Sequence, residues 1–127
     1  MAVDAYARAT GRDDRERDGD GDAAAERAAA DAARAFAALG APQRVRILRR
    51  LVRAGEDGLT MGALQRDLGL AASTTTHHMR QLVSAGLVRQ ERRAREIVSR
   101  ADYAQVRALA AFLIAECCAD AAEGETR

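Results

Sequence analysis

The sequence predicts a mostly α-helical domain of about five helices with one two-stranded β-hairpin. Three observations carry this expectation. Aromatic residues make up 3% of the 127 residues and Pro occurs once, so a core must come from Leu, Val, Ile and abundant Ala. Such side chains suit closely packed helices better than stacked sheets. Apolar residues recur at three- and four-residue steps along most of the chain, except beyond Gly86, where the period falls towards two. One domain fits this length.

Residues 1–22 are mostly Gly, Asp, Arg and Ala with little to bury, which predicts a disordered charged tail. The domain is expected over residues 23–121, with residues 122–127 as a flexible end. From Ala23 an Ala-rich helix runs to near Leu39, with Ala25, Ala29, Ala32, Phe36 and Leu39 as its apolar side and Gly40 as its stop. Pro42 opens a second helix. Its apolar side is Val45, Ile47, Leu48, Leu51 and Val52, and its Arg44, Arg46, Arg49, Arg50 and Arg53 are expected outside. Thr60 is the N-cap expected for a third helix over Met61–Leu68, with Met61, Leu64 and Leu68 inward, and Gly69-Leu70 turns the chain.

The run Ala72-Ser73-Thr74-Thr75-Thr76-His77-His78-Met79-Arg80-Gln81-Leu82 comes next. Ser73 is expected to cap it, with Thr74, Thr76, His77 and Arg80 on one side and Thr75, Met79, Leu82 and Val83 on the other. One side packs; the other offers short hydrogen-bonding groups that can reach base edges in a major groove. Two short helices joined through a Gly-containing turn form a helix-turn-helix, whose second helix reads DNA while the first braces it. Leu87 to Arg92, a tip near Arg93-Ala94, and Arg95 to Ser99 then predict a hairpin, a wing made positive by Arg89, Arg92, Arg93 and Arg95. Such a wing would contact phosphates beside the groove or enter a minor groove, giving affinity more than sequence choice.

The charge distribution agrees with this reading. The formal net charge is +1, yet residues 43–100 hold twelve Arg against five acidic residues, while residues 1–22 and 101–127 each carry a net −3. That concentration is the signature of a phosphate-binding face. Every basic residue is Arg, so no single Arg is read as chosen over Lys for its geometry.

The last helix predicts a homodimer. Tyr103, Val106, Ala110, Leu113 and Cys117 are separated by 3, 4, 3 and 4 residues, the seam spacing of helices that pack lengthwise. Two-fold pairing would place two reading helices about one DNA turn apart on a symmetric operator.

The segments Phe36-Ala37-Ala38-Leu39-Gly40-Ala41-Pro42-Gln43-Arg44-Val45-Arg46-Ile47-Leu48, Ser73 to Leu82, and Gly86-Leu87-Val88 together resemble the ArsR/SmtB family of winged helix-turn-helix repressors, over about residues 34–120. The resemblance implies a homodimer, joined through its first and last helices with Ala29 and Phe36 at the seam, that leaves its operator when an effector binds. It also implies that Ser73, Thr74, Thr76, His77 and Arg80 contact bases and phosphates. Thr75 stands where the family often has Val.

Cys117 and Cys118 are the only cysteines. In a reducing cytosol thiols are expected, and soft sulfur selects soft ions. The pair resembles the vicinal-cysteine arsenical sites near the end of the last helix in some family members, which implies As(III), methylarsenite or Sb(III) as inducer, with no cofactor required. On a helix, successive residues point about 100° apart, so chelation is expected to bend the turn and disturb the dimer seam. Glu116 and Asp120 beside the pair disfavour thiolate. The alternative is a winged-helix regulator without a metalloid effector, its cysteines structural or redox-responsive. The family's third-helix thiolate site lacks its paired Cys in Leu59-Thr60-Met61-Gly62-Ala63-Leu64, and the last helix has no His for a zinc or cobalt site. His77 and His78 are expected to point apart. No phosphate-cradling Gly loop and no acid–base constellation point to an enzyme. No apolar run is long enough to span a bilayer and no secretion signal is evident, so the expected location is the cytoplasm.

Overall fold

The structure, a computed structural model, describes residues 19–121. The expected tail therefore lies outside the described residues up to position 18, as do residues 122–127. Five helices and three strands follow: α1 (Gly19–Ala38), α2 (Pro42–Ala54), a 3-10 turn (Gly55–Asp57), β1 (Leu59–Thr60), α3 (Met61–Leu68), α4 (Ala72–Ser84), β2 (Val88–Arg93), β3 (Glu96–Ala101) and α5 (Tyr103–Ile114). The fold is thus the expected mostly α, winged helix-turn-helix architecture. Helix α1 starts at Gly19, so residues 19–22, expected in the tail, are helical.

Local chemistry sets most boundaries. Pro42 occupies the first turn of α2, where its missing N–H costs nothing. The Thr60 side chain accepts from the Ala63 N–H at 3.1 Å and starts α3, which ends on Gly69 in the left-handed conformation. Asp102 caps α5 by accepting from the Gln105 N–H at 3.1 Å.

The core joins Ile47, Leu48 and Leu51 of α2, Leu64 of α3, Met79 and Leu82 of α4, Leu87, Val88 and Ala101 of the sheet, and Ala108 and Leu109 of α5. Val45 and Val52, assigned to the apolar side of α2, lie exposed at its margins. Helix α1 contributes a row of Ala28, Ala32, Ala35 and Ala38, all buried. This corrects the expected inner row: Ala29 and Phe36 face outward. Small side chains at the contact let α1 lie close, and the bulkier Phe36 stays outside.

The sheet has three antiparallel strands in the order β1-β3-β2, where two were expected. β1 is two residues long and pairs Leu59 with Ser99 and Thr60 with Val98. In the hairpin Val88 faces Ala101 and Arg93 faces Glu96, so the turn is Ala94-Arg95, one residue beyond the expected tip. Ala94 has φ +55, a left-handed conformation that costs a residue with a Cβ roughly 1–2 kcal/mol.

Candidate nucleic-acid interface and thiol pair

Helices α3 and α4 meet through the Gly69-Leu70 turn, and α3 is braced on α2 by an ion pair between Arg50 and Asp67 at 3.0 Å. Arg46 also reaches back to the Leu68 carbonyl at 3.5 Å. Helix α4 is held from below by Thr75, Met79 and Leu82, all buried. Inside the helix the Thr75 hydroxyl donates to the Ala71 carbonyl at 2.9 Å, so this polar residue enters the core satisfied. Val83, expected inward, is exposed.

The expected reading residues Ser73, Thr74, Thr76, His77 and Arg80 are all exposed on α4. At about 100° per residue, Ser73, His77 and Arg80 form the middle of the outward arc and Thr74 and Thr76 its two margins, roughly 160° apart. Gln81, also exposed, falls on the Thr74 side of the same arc and was missed from sequence. Its spacing of four from His77 is the signal that marks it. Ser73 does not cap α4. The helix begins at Ala72, and its N-cap, Ala71, makes no side-chain bond. The N–H groups of Ala72, Ser73 and Thr74 therefore receive no acceptor from the helix itself.

The wing arginines divide by strand alternation. Val88, Gln90 and Arg92 share one face with Ile97, Ser99 and Ala101; Arg89, Glu91, Arg93, Glu96, Val98 and Arg100 share the other. Arg92 and Arg93, grouped together from sequence, point opposite ways. Glu91 pairs with Arg100 and lies 3.4 Å from Arg93, so the second face is largely self-neutralised. Arg92, and Arg95 in the turn, have no ion-pair partner among the described residues. On the first face the Gln90 amide donates to the buried Ser99 hydroxyl at 3.0 Å and ties the base of the wing together.

Two arginines expected outside are part-buried. Arg50 carries the ion pair to Asp67, and Arg44 donates through Nε to the Ala38 carbonyl and through Nη1 to His78 Nδ1, 3.2 Å away. His77 and His78 diverge as expected: His77 is exposed, His78 is half-buried, and their tilted rings lie 5.5 Å apart. Burial, then the charge of Arg44, then that of His77, lower the pKa of His78 below its ordinary value.

The expected seam residues also divide. Tyr103 and Val106 pack against the core of their own subunit, and the Tyr103 hydroxyl donates to the carbonyls of Leu51 and Val52 at 3.3 and 3.2 Å. A hydroxyl beside two helix-end carbonyls is better satisfied there than at an apolar seam. Ala110 and Leu113 stay outside, joined by Ile114; Leu113 and Ile114 are 65% and 66% exposed. Since α5 packs beside α1, these residues and the outward Ala29 and Phe36 lie on neighbouring helices.

Helix α5 ends at Ile114, three residues before the first cysteine, which corrects the placement of Cys117 on it. Cys118 has φ +61, and the two exposed thiols lie with Sγ atoms 3.6 Å apart. The expected 100° divergence does not apply outside a helix. Among the described residues no three His, Cys, Asp or Glu side chains converge as a metal site. No helix there is long and apolar enough to cross a membrane.

A family profile described as a helix-turn-helix domain matches residues 39–91. Among solved structures, an ArsR-like transcriptional regulator from Rhodococcus sp. RHA1 is 30% identical, with a TM-score of 0.62, over 72% of this chain and 82% of that one. Reduced HlyU from Vibrio cholerae N16961 shares the fold at 22% identity and a TM-score of 0.56, over 70% of this chain and 93% of its own. No curated protein matches the sequence. The matched segment runs from the end of α1 through the brace, the turn and the exposed helix into the wing, and with the Rhodococcus relative it establishes that the chain belongs to the ArsR family of winged helix-turn-helix, DNA-binding transcriptional regulators.

Proposed function

We propose that the protein is a dimeric repressor in the cytoplasm, which sits on a palindromic operator and releases it when As(III), methylarsenite or Sb(III) occupies Cys117 and Cys118. It acts as a regulator and not as an enzyme. On the DNA side, Ser73, His77 and Arg80 would face the major groove, with Thr74 and Thr76 at its walls. Arg92 and Arg95 of the wing would reach adjoining phosphates, and Arg93 contributes less because Glu91 holds it. A DNA phosphate at the start of α4 would accept from the N–H groups of Ala72, Ser73 and Thr74. The dimer would close over Ala29, Phe36, Ala110, Leu113 and Ile114.

The observation that carries the sensor reading is the separation of 3.6 Å between the two sulfurs. With metal–sulfur bonds of about 2.3 Å, two sulfurs on one ion lie roughly 3.3–3.8 Å apart. The pair therefore already has the bite of a chelate, and its exposure leaves a route in. A preformed bite also means that chelation by one pair does not by itself deform the subunit. A ligand shifts an equilibrium only by its differential affinity for the two states. Trivalent arsenic and antimony take three ligands, so for As(III) and Sb(III) the third would supply the coupling: drawn from a second copy across the α1/α5 face, it would shift the two α5 ends relative to each other and respace the reading helices, whereas methylarsenite brings its methyl group as third ligand and would act only through a different affinity for the two states.

Fluorescence anisotropy of labelled upstream DNA on the reduced protein tests this, with each trivalent species titrated into wild type and into the Cys117→Ser, Cys118→Ser double variant. Release is expected in wild type alone. Release that persists in the double variant removes the cysteines from the sensor role, and release by peroxide but not by arsenicals favours a redox-responsive pair.

A further inference from the structure

The DNA reading assigned above rests on α4 being held at one rotation, and the contact between Arg44 and His78 lies outside everything that reading uses. We propose that Arg44 is a positioning residue for sequence reading, a tie between the end of α1 and the middle of α4 that holds only while the His78 ring is neutral. The inference rests on the proposed DNA face of α4.

The tie has three points. Arg44 stands at the start of α2, its Nε donates to the Ala38 carbonyl at the last residue of α1, and its Nη1 meets His78 Nδ1 at 3.2 Å. A guanidinium has five N–H donors and no acceptor. His78 Nδ1 must therefore offer its lone pair, which fixes the neutral tautomer with the proton on Nε2. A second proton on the ring would turn an acceptor into a donor and set two cations against each other. His78 flanks the arc that carries His77 and Arg80, so a small rotation of α4 about its axis moves both reading side chains together.

Among the described residues, the charges that act on the ring include no anion. From α2 it meets Arg44, and from its own helix His77. On α1, Asp31 is paired with Arg34; on α3, Asp67 is paired with Arg50 and Arg66 lies over Gly62. On β2, Arg89 is directed to Asp102 and Glu91 to Arg93 and Arg100. Burial and the facing charge both favour the neutral form of the His78 ring.

The test measures affinity for a duplex selected from a random pool on the wild-type protein, and for a scrambled duplex of equal length. Both are measured between about pH 8 and about pH 5.5, the range in which His titrates. Arg44→Met and His78→Ala are expected to lower the ratio of the two affinities about tenfold at the upper pH, in line with losing a charge-assisted hydrogen bond. His78→Gln keeps an acceptor that does not titrate, and is expected to retain the wild-type ratio. The wild-type ratio should fall on acidification and the His78→Gln ratio should not. His78→Ala and His78→Gln leave the bond from Arg44 to Ala38 in place, so they decide the question even where Arg44→Met fails to fold. A wild-type ratio in His78→Ala, or undiminished acid sensitivity in His78→Gln, overturns the proposal while the DNA face stands. A wild-type protein with no preference for the selected duplex at any pH overturns the DNA face and this inference with it.

Discussion

Gly58 packs so closely beneath Ser99 that a Cβ on it would run into the Ser99 carbonyl oxygen and stand 2.9 Å from Val98 Cγ1. Its φ of +68 with a ψ of −168 is a backbone conformation that essentially only glycine adopts. This close approach lets β1 pair with β3 and fastens the wing to the helices. Gly58→Ala is expected to destabilise the fold by about 2–5 kcal/mol, combining backbone strain with overpacking. Gly55, with a similar φ of +80 and ψ of −164 and no atom within 4 Å of such a Cβ, is the control. Gly55→Ala should cost only about 1–3 kcal/mol. Urea unfolding of both variants decides; equal losses would mean that the contact with Ser99 yields freely.

The difference between these glycines marks what the sequence could and could not reveal. Pro42, the Thr60 cap and the Gly69 stop were legible because each acts on the backbone within a few residues of itself. The arc of Ser73, His77 and Arg80 was legible because Thr75, Met79 and Leu82 mark the buried side by period. β1 was not, since two residues carry no alternation and owe their state to Ser99, some forty residues on. The inner face of α1 was misread because Phe36 is the strongest apolar residue there, whereas packing favours the smallest. The thiol geometry was hidden by a helix that stops at Ile114 without Gly or Pro to announce it. The reach of Arg44 to His78 spans 34 positions and follows no local rule.

The lowered pKa of His78 gives stability a pH dependence whose sign is fixed. The ring binds its proton less readily in the folded chain than in the unfolded chain, where its pKa is about 6.5. Between about pH 6.5 and the lower folded value, the unfolded state therefore binds more protons, and stability falls as pH falls. The contribution is fully present above that window. Unfolding midpoints measured across it should decline in wild type more than in His78→Gln. Parallel declines would assign the acid sensitivity to other groups.

Leu113 and Ile114 leave an apolar end on α5 beside the outward Phe36 of α1. If a second copy covers this face, Leu113→Glu places a charge in a desolvated seam, a change that costs several kcal/mol when unpaired. The expected outcome is a folded monomer in sedimentation analysis at concentrations where wild type is a dimer, with operator affinity lost in parallel. Because Leu113 is 65% exposed within the subunit, circular dichroism should be unchanged. A variant that remains dimeric would move the interface elsewhere.

Arg92 and Arg93 are neighbours in sequence, yet alternation sends them to opposite faces of the wing, and among the described residues only Arg93 of the two has an acidic partner, Glu91 at 3.4 Å. An arginine that neutralises a DNA phosphate releases a counterion, so its removal lowers the slope of log affinity against log salt by about one. Arg92→Ala is expected to weaken selected and scrambled duplexes alike and to reduce that slope. Arg93→Ala should change it little, because the side chain already spends part of its charge on Glu91. Arg80→Ala, on the outward arc of α4, should instead weaken the selected duplex by about 1–3 kcal/mol and relax its sequence preference. Salt titrations of the three variants separate phosphate contact from base reading. A larger slope change for Arg93 than for Arg92 would show that the wing meets DNA through the face carrying Glu91, Glu96 and Arg100.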